Sequence, residues 1–212
     1  MKSKTKKKSK SAQKGKPRSA KETAKEWTKS IIFALILALA TRATVVQAFR
    51  IPSGSMEDTL LIGDFLLVNK FIYGAKIPFT NIRLPEIRKP KRGDIIVFRH
   101  PTEGKDFIKR CIGVPGDTIE IRNDVVYVNG EPLDEPYKTI KGAPNVSSNF
   151  GPIVVPEGHL FVLGDNRRNS FDSRAWGPLD MRYVKGKAMV IYFSWDKRRH
   201  IPRFKRFGKI IR

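Results

Sequence analysis

Three stretches of the chain carry side chains able to do covalent or acid–base chemistry. The first is Ile51-Pro52-Ser53-Gly54-Ser55-Met56, where two hydroxyls flank a glycine just after an apolar run ending at Phe49. Serine, glycine and proline also dominate ordinary turns, so the serines gain meaning only through partners elsewhere. A serine hydroxyl is a weak nucleophile at neutral pH and needs a base. Of the three histidines, His200 lies in a basic stretch, His159 follows a Pro-Glu-Gly turn, and His100 sits between Arg99 and Pro101. Each reads as a surface residue rather than a base.

The second stretch supplies another base. Lys109 lies in Asp106-Phe107-Ile108-Lys109-Arg110-Cys111-Ile112-Gly113, surrounded by apolar residues on a predicted strand. Two orientations are open. An outward lysine is an ordinary strand charge, whereas an inward one loses solvation, which disfavours its ammonium and makes it a base near neutrality. The third stretch, Gly164 to Arg174, is dense in hydrogen-bonding side chains directly after the strand Leu160–Leu163. It is either a solvated loop or a network that orients the base. Cys111 is the single cysteine, so no intramolecular disulfide forms, and its apolar neighbours suit a small core residue. No His, Cys, Asp and Glu cluster has metal-ligand spacing, and no cofactor is expected.

These stretches need elements to bring them together. Residues 1–26 carry 11 Lys and Arg against two Glu, and residues 196–212 carry eight against one Asp. The two ends thus hold +9 and +7 of the formal +22. Basicity concentrated in terminal stretches argues against a globular nucleic-acid-binding face and for tails beside anionic lipid or other polyanions. Residues 1–26 have too little apolar surface to order themselves. From Ser30 to Phe49 is 20 residues, about 30 Å as a helix and enough to cross a bilayer. Arg42 costs about 2.5–3.5 kcal/mol at a bilayer centre but lies near the exit and can snorkel. The expectation is a transmembrane anchor over 27–49, N-terminus cytoplasmic by the positive-inside rule. A cleaved signal peptide with Ala38-Leu39-Ala40 as its processing site is the rival reading of the same run.

Beyond residue 50 the chain reads as mainly β. Ile95–Phe98, Phe107–Val114, Leu160–Leu163 and Ala188–Phe193 are β-branched or aromatic runs bounded by turn residues. Thr118–Arg122 and Val125–Val128 flank Asn123-Asp124 as a hairpin. Residues 130–158 have many breakers and are expected to form a long excursion. The expected fold is one N-terminal transmembrane helix followed by an extracytoplasmic domain of short antiparallel strands over 50–195, then a basic tail over 196–212. Phe204, Phe207, Ile210 and Ile211 alternate with the tail's charges, which predicts contact with an anionic membrane surface.

Taken together and in this order, the anchor, Ile51 to Met56, Gly63-Asp64, Arg92-Gly93-Asp94, Ile108-Lys109-Arg110, Pro115-Gly116-Asp117, Gly164-Asp165-Asn166 and Asp172-Ser173-Arg174 resemble the bacterial type I signal peptidases. The resemblance runs from about residue 27 to 195. It implies Ser55 as nucleophile, Lys109 as general base, and an oxyanion hole formed by the Ser53 hydroxyl and the Ser55 backbone N–H. It also implies that Ser170 orients Lys109 and that Asp172 and Arg174 form a supporting ion pair with Asp165 nearby. Asp58 stands where many relatives have proline, Phe107 where some have tyrosine, and Arg168 where some have an acid.

The function so implied is removal of signal peptides from exported preproteins after small-x-small motifs, at the bacterial cytoplasmic membrane. Phe49, Ile51, Pro52, Met56, Val97, Asp106, Phe107 and Ile108 are expected to bind substrate, with the apolar ones admitting only small side chains. Expected partners are preproteins and membrane lipid, with no nucleic acid and a monomeric enzyme. Two alternatives stand beside this reading. One is a self-cleaving Ser-Lys repressor, which would carry a helix-turn-helix where this chain has its apolar run. The other is an anchored β domain without enzymatic activity, which would leave Ser55, Lys109 and 164–174 unexplained.

Overall fold

The computed structural model describes residues 25–35, 46–74, 84–141 and 148–212. The chain divides into two compact units, 1–40 and 41–212. In the first, residues 25–35 are helical, with Trp27, Ile31, Ile32, Phe33 and Leu35 exposed. Among the described residues no helix is long and apolar enough to cross a membrane. The expected disordered segment lies outside the described residues except for Lys25 and Glu26, which begin the helix.

The second unit is mainly antiparallel β. Its strands are β1 Val46–Arg50, β2 Asp64–Asn69, β3 Ile95–Arg99, β4 Asp106–Gly113, β5 Thr118–Arg122, β6 Val125–Val128, β7 Glu131–Pro132, β8 Phe150–Val154, β9 His159–Leu163, β10 Leu179–Asp180, β11 Val184–Asp196, β12 Ile201–Pro202 and β13 Lys209–Ile210. A large sheet runs β1-β2-β11-β3-β4-β9-β10, with β12 and β13 also paired to β11; a smaller one runs β7-β6-β5-β8.

The predicted anchor does not end at Phe49 as a helix. Val46–Arg50 is a strand, paired from Val46↔Asn69 to Arg50↔Phe65. Phe49 packs against the core cluster that contains Leu66 and Val68, a tertiary contact that overrides the helical reading of a continuous apolar run. Residues 36–45 of that prediction lie outside the described residues.

Strand β11 is 13 residues long and bends around the body through bulges against both β2 and β3. The bulges let one strand complete two parts of the sheet. The Asn123-Asp124 hairpin forms as expected, with φ of 50° and 65° at those residues, the left-handed pair that matches strand twist. The expected excursion over 130–158 instead contributes β7 and β8 to the smaller sheet, and residues 142–147 lie outside the described set. Ile119, Ile121, Val126 and Val128 turn inward from that sheet onto Phe161 and Leu163 of β9.

The expected basic tail over 196–212 is part of the domain. Ile211 is buried in the core, Phe207 packs on Phe193 at 5.2 Å, and β13 pairs with β11 at Val190↔Ile210. Arg206 donates to the fully buried Asp64 at 2.6 Å and to the Thr59 carbonyl at 3.0 Å. Arg206, read in sequence as part of a basic tail beside anionic lipid, therefore has partners about 140 residues upstream.

Candidate active site

Strands β1 and β2 form a hairpin whose connection, residues 51–63, holds the two serines. Its neck is closed by Ile51 N–H to the Asp64 carbonyl at 2.9 Å and Gly63 N–H to the Ile51 carbonyl at 3.1 Å. Gly63 has φ of 94°, and a Cβ there would collide with the Trp195 carbonyl, so the neck requires glycine. Asp64 ties the loop internally by accepting from Leu61 N–H at 2.8 Å, and from the Ser194 hydroxyl on β11 at 2.6 Å. Met56 and Leu60 point into the core and pin the middle of the loop.

The loop delivers Ser55 to Lys109. Lys109 Nζ donates to Ser55 Oγ at 2.8 Å, and the two side chains belong to residues only 4% and 6% exposed. Lys109 is therefore the inward lysine of the two orientations left open by the sequence. Burial pulls its pKa down from 10.5 to about 8; the carboxylates of Asp172 and Asp165 resist that fall, and Arg174 adds to it. An amine so poised is partly neutral near pH 7–8 and can accept a hydroxyl proton. Nζ also lies 5.4 Å from the centroid of the Phe107 ring.

The Gly164–Arg174 stretch closes on this pair as a network rather than a solvated loop. Gly164 lies against the 51–63 loop: a Cβ there would sit 2.5 Å from the Ser55 carbonyl oxygen and closer still to Ser170 Oγ. Asn166 N–H donates to the same Ser55 carbonyl at 3.0 Å. Asp172 accepts from Gly164 N–H at 3.0 Å and pairs with Arg174 at 2.9 Å, while capping the short helix α1, Ser173–Trp176, through Arg174 N–H. The supporting ion pair expected between Asp172 and Arg174 is present.

Two expected roles take a different form. Ser170 is buried, but its hydroxyl makes no hydrogen bond to any described group, Lys109 included. Asp165 is held by Arg110, which donates to both of its carboxylate oxygens at 2.8 and 2.7 Å, and by the Thr59 hydroxyl at 2.6 Å. Arg110 in turn stacks 3.7 Å from the centroid of Tyr137 and donates to the Arg212 backbone oxygen. Arg168, which stands where some relatives have an acid, pairs with Asp124 at 3.0 Å. Arg110 and Thr59 were missed because an Arg following a strand lysine and a Thr in a turn carry no spacing signal.

A cavity of about 530 Å³ opens beside Ser55 and Lys109. Pro52, Ser53, Asp106, Phe107 and Ile108 line it, together with Phe171 and Asn169, which sequence reasoning did not select. Four predicted wall residues are placed otherwise. Ile51, Met56 and Val97 are buried in the core beneath the site, and Phe49 packs against that core; none of the four lines the cavity. The reason is that both faces of β3 are covered, Val97 facing one cluster and Phe98 another, so alternation does not single out a cavity face. His100 is also not at the surface. It is 2% exposed, its Nδ1 accepts from Glu103 N–H at 3.2 Å, and its ring packs on Phe107, Trp176 and Phe171 at 4.8, 5.2 and 5.8 Å. At Asp58 the φ of 74° is one that proline cannot adopt, so the departure noted there matches the local backbone.

A family model described as "Signal peptidase, peptidase S26" matches residues 24–195. The signal peptidase I of Pseudomonas fluorescens is 36% identical, with 83% of this chain and 75% of the relative covered. That of Pseudomonas aeruginosa is likewise 36% identical over the same shares. The probable signal peptidase I-2 of Synechocystis sp. is 41% identical, with 76% of this chain and 69% of the relative covered.

Proposed function

This chain belongs to the S26 family of signal peptidases, hydrolases that remove signal peptides, and from that membership we propose that it cuts exported preproteins through a Ser55–Lys109 dyad. The observation that carries the proposal is the 2.8 Å approach of Lys109 Nζ to Ser55 Oγ in a site where burial lowers the amine pKa to about 8. Neutral Lys109 takes the Ser55 proton as Oγ attacks the scissile carbonyl. The resulting oxyanion is held by the Ser53 hydroxyl and the Ser55 N–H, donors of a kind worth about 3 kcal/mol each. Lys109, now an ammonium, protonates the departing amine. Water then enters, Lys109 again accepts a proton, and the acyl-enzyme is hydrolysed. Asp172 with Arg174, and Asp165 with Arg110, hold the walls of this arrangement, and Ser170 serves by packing against Gly164.

Substrate binds as an added strand in this proposal. Strand β4 pairs with β3 from Asp106 onward, but its pairing with β9 begins only at Arg110. Residues 106–109 therefore present an edge that no described strand covers, and they line the same cavity as Pro52–Ser55. An extended peptide can pair there, its small side chains entering between Phe107, Ile108 and Phe171. The cleavage motif is accordingly small-x-small. The anchor, the extracytoplasmic placement of the catalytic unit and the monomeric state belong to the same proposal. The exposed Phe204 and Ile210 with their neighbouring lysines suit an anionic membrane surface.

The deciding experiment is cleavage of a purified preprotein by the wild type, Ser55→Ala and Lys109→Met between pH 6 and 10. Both variants should be inactive, and the wild-type product should end in a small-x-small sequence. An active Lys109→Met would place the base elsewhere; an active Ser55→Ala would reduce the 51–63 loop to a turn.

A further inference from the structure

A second cavity, of about 500 Å³, adjoins the first. The two share Gly54 and Asn169 as walls. Beyond them the second is bounded by Glu57, Ile62, Lys197 and Arg198. The partition between the cavities is a glycine. A Cβ on Gly54 would stand 3.4 Å from Asn169 Nδ2 and 3.5 Å from Glu57 Oε2, so any larger side chain would fill the passage between those two residues. Ser55 lies at one end of this passage, on the side of the first cavity.

The charges of the second cavity are unequally satisfied. Asp196 accepts from the backbone N–H groups of Arg198 and Arg199, and from Arg203 Nε at 3.4 Å. Arg203 also donates to the Ile62 carbonyl at 3.1 Å and the Ser194 hydroxyl at 3.3 Å. Glu57 accepts from Asn166 Nδ2 at 3.4 Å. Lys197 and Arg198 are exposed, and neither side chain enters an ion pair with another described residue. Among the described residues the cavity thus holds two cationic heads outside any ion pair, with Asp196 engaged by Arg203 and Glu57 held only by Asn166 at its mouth.

We propose that this cavity receives the first residues of the mature chain, on the far side of the scissile bond, and that Lys197 and Arg198 favour acidic side chains there. The proposal rests on the dyad reading given above. A peptide paired along residues 106–109, with its scissile carbonyl at Ser55 Oγ, has its signal-peptide side in the first cavity. Its continuation must leave over Gly54, between Asn169 and Glu57, and the second cavity is what lies beyond. Beyond Glu57, whose carboxylate stands at the passage, carboxylates meet the two cations Lys197 and Arg198, whereas lysines meet like charge; the pair outnumbers the single acid.

The test uses the full chain in neutral-lipid vesicles and a preprotein series identical up to the cleavage site. The first four mature residues are acidic, amide or basic. For the wild type, kcat/KM should fall in that order, with an acidic-to-basic ratio of about threefold to tenfold at low salt, as expected for two solvated charge pairs. High salt should reduce the ratio. In K197Q/R198Q the ratio should approach one, and in K197E/R198E it should invert; because each ratio is internal to one enzyme, a general loss of rate does not disturb it. A wild-type ratio of one, or a ratio unmoved by both double variants while every substrate is cut, would overturn the subsite and leave the dyad reading intact. The same holds if the variants change only binding to phosphatidylglycerol vesicles, since the cations then face lipid. Failure of the wild type to cut any substrate would overturn both readings.

Discussion

Replacing Lys109 by methionine should make the folded protein more stable at neutral pH while abolishing its activity. The buried amine has a folded-state pKa of about 8 against 10.5 unperturbed, so the folded state binds this proton more weakly than the unfolded state does. The sign follows from that inequality. Below about pH 8 both states are protonated and the folded state bears the whole cost of a poorly solvated ammonium. Between 8 and 10.5 the cost declines, and above 10.5 it is gone. At 1.36 kcal/mol per pKa unit the cost amounts to about 3 kcal/mol at pH 6.5. Methionine keeps the apolar stem and can still touch the Phe107 ring, but it forfeits the 2.8 Å bond to Ser55 Oγ, worth about 1 kcal/mol. Urea unfolding of the full chain, followed by tryptophan fluorescence, should show the variant about 2 kcal/mol more stable at pH 6.5, with the advantage vanishing toward pH 10.5. A difference independent of pH, or a more stable wild type at pH 6.5, would refute the claim that desolvation tunes Lys109. The wild-type kcat/KM should mirror the same titration, rising about tenfold per pH unit and levelling near pH 8.

Two further outcomes test the scaffold. Arg206→Ala leaves the fully buried Asp64 without its main cationic partner, Arg203 being 3.9 Å away, and should cost about 3 kcal/mol in unfolding experiments. It also releases the Thr59 carbonyl, so kcat should fall as the 51–63 loop loosens, a change that Arg206→Lys should partly restore. Gly164→Ala pushes a methyl against the Ser55 carbonyl and the Ser170 hydroxyl; a displacement of the nucleophile by about 1 Å should lower kcat about 100-fold with unchanged circular dichroism.

Much of this arrangement was legible residue by residue. The runs Ile95–Phe98 and Leu160–Leu163 and the Asn123-Asp124 turn declare themselves through local chemistry, because β-branched side chains and left-handed turn residues act within a few positions. Ser55 and Lys109 were findable for a different reason: their stretches, in this order with the others, resemble the bacterial type I signal peptidases, and the resemblance singles out these two residues. What stayed hidden depended on contacts far along the chain. Val46–Arg50 looks like the end of an apolar helix until β2 is there to pair with it. Arg206 looks like tail charge until Asp64 is placed 142 residues away. Arg110 gives no sign that it clamps Asp165 across 55 residues, nor His100 that three aromatic rings enclose it. Phe171 was within the polar stretch that drew notice, yet its place in the cavity follows from the fold of that stretch and not from its composition.

The placement of β11 has a consequence for when the large sheet can be completed. Ser55 hangs from β1 and β2, and Lys109 stands on β4 beside β3, yet β2 and β3 are not neighbours; β11 lies between them. Within the large sheet the strands that carry Ser55 and Lys109 are therefore joined through a strand that is made after both, at Val184–Asp196, while Asn166 links the Ser55 loop to β9 separately. A chain emerging from N- to C-terminus carries both for some 75 residues before the strand that joins their parts of the sheet is available. Incompletely delivered chains thus lack the sheet that joins the strands holding Ser55 and Lys109. The order of strands makes completion of that sheet one of the last events in building the domain.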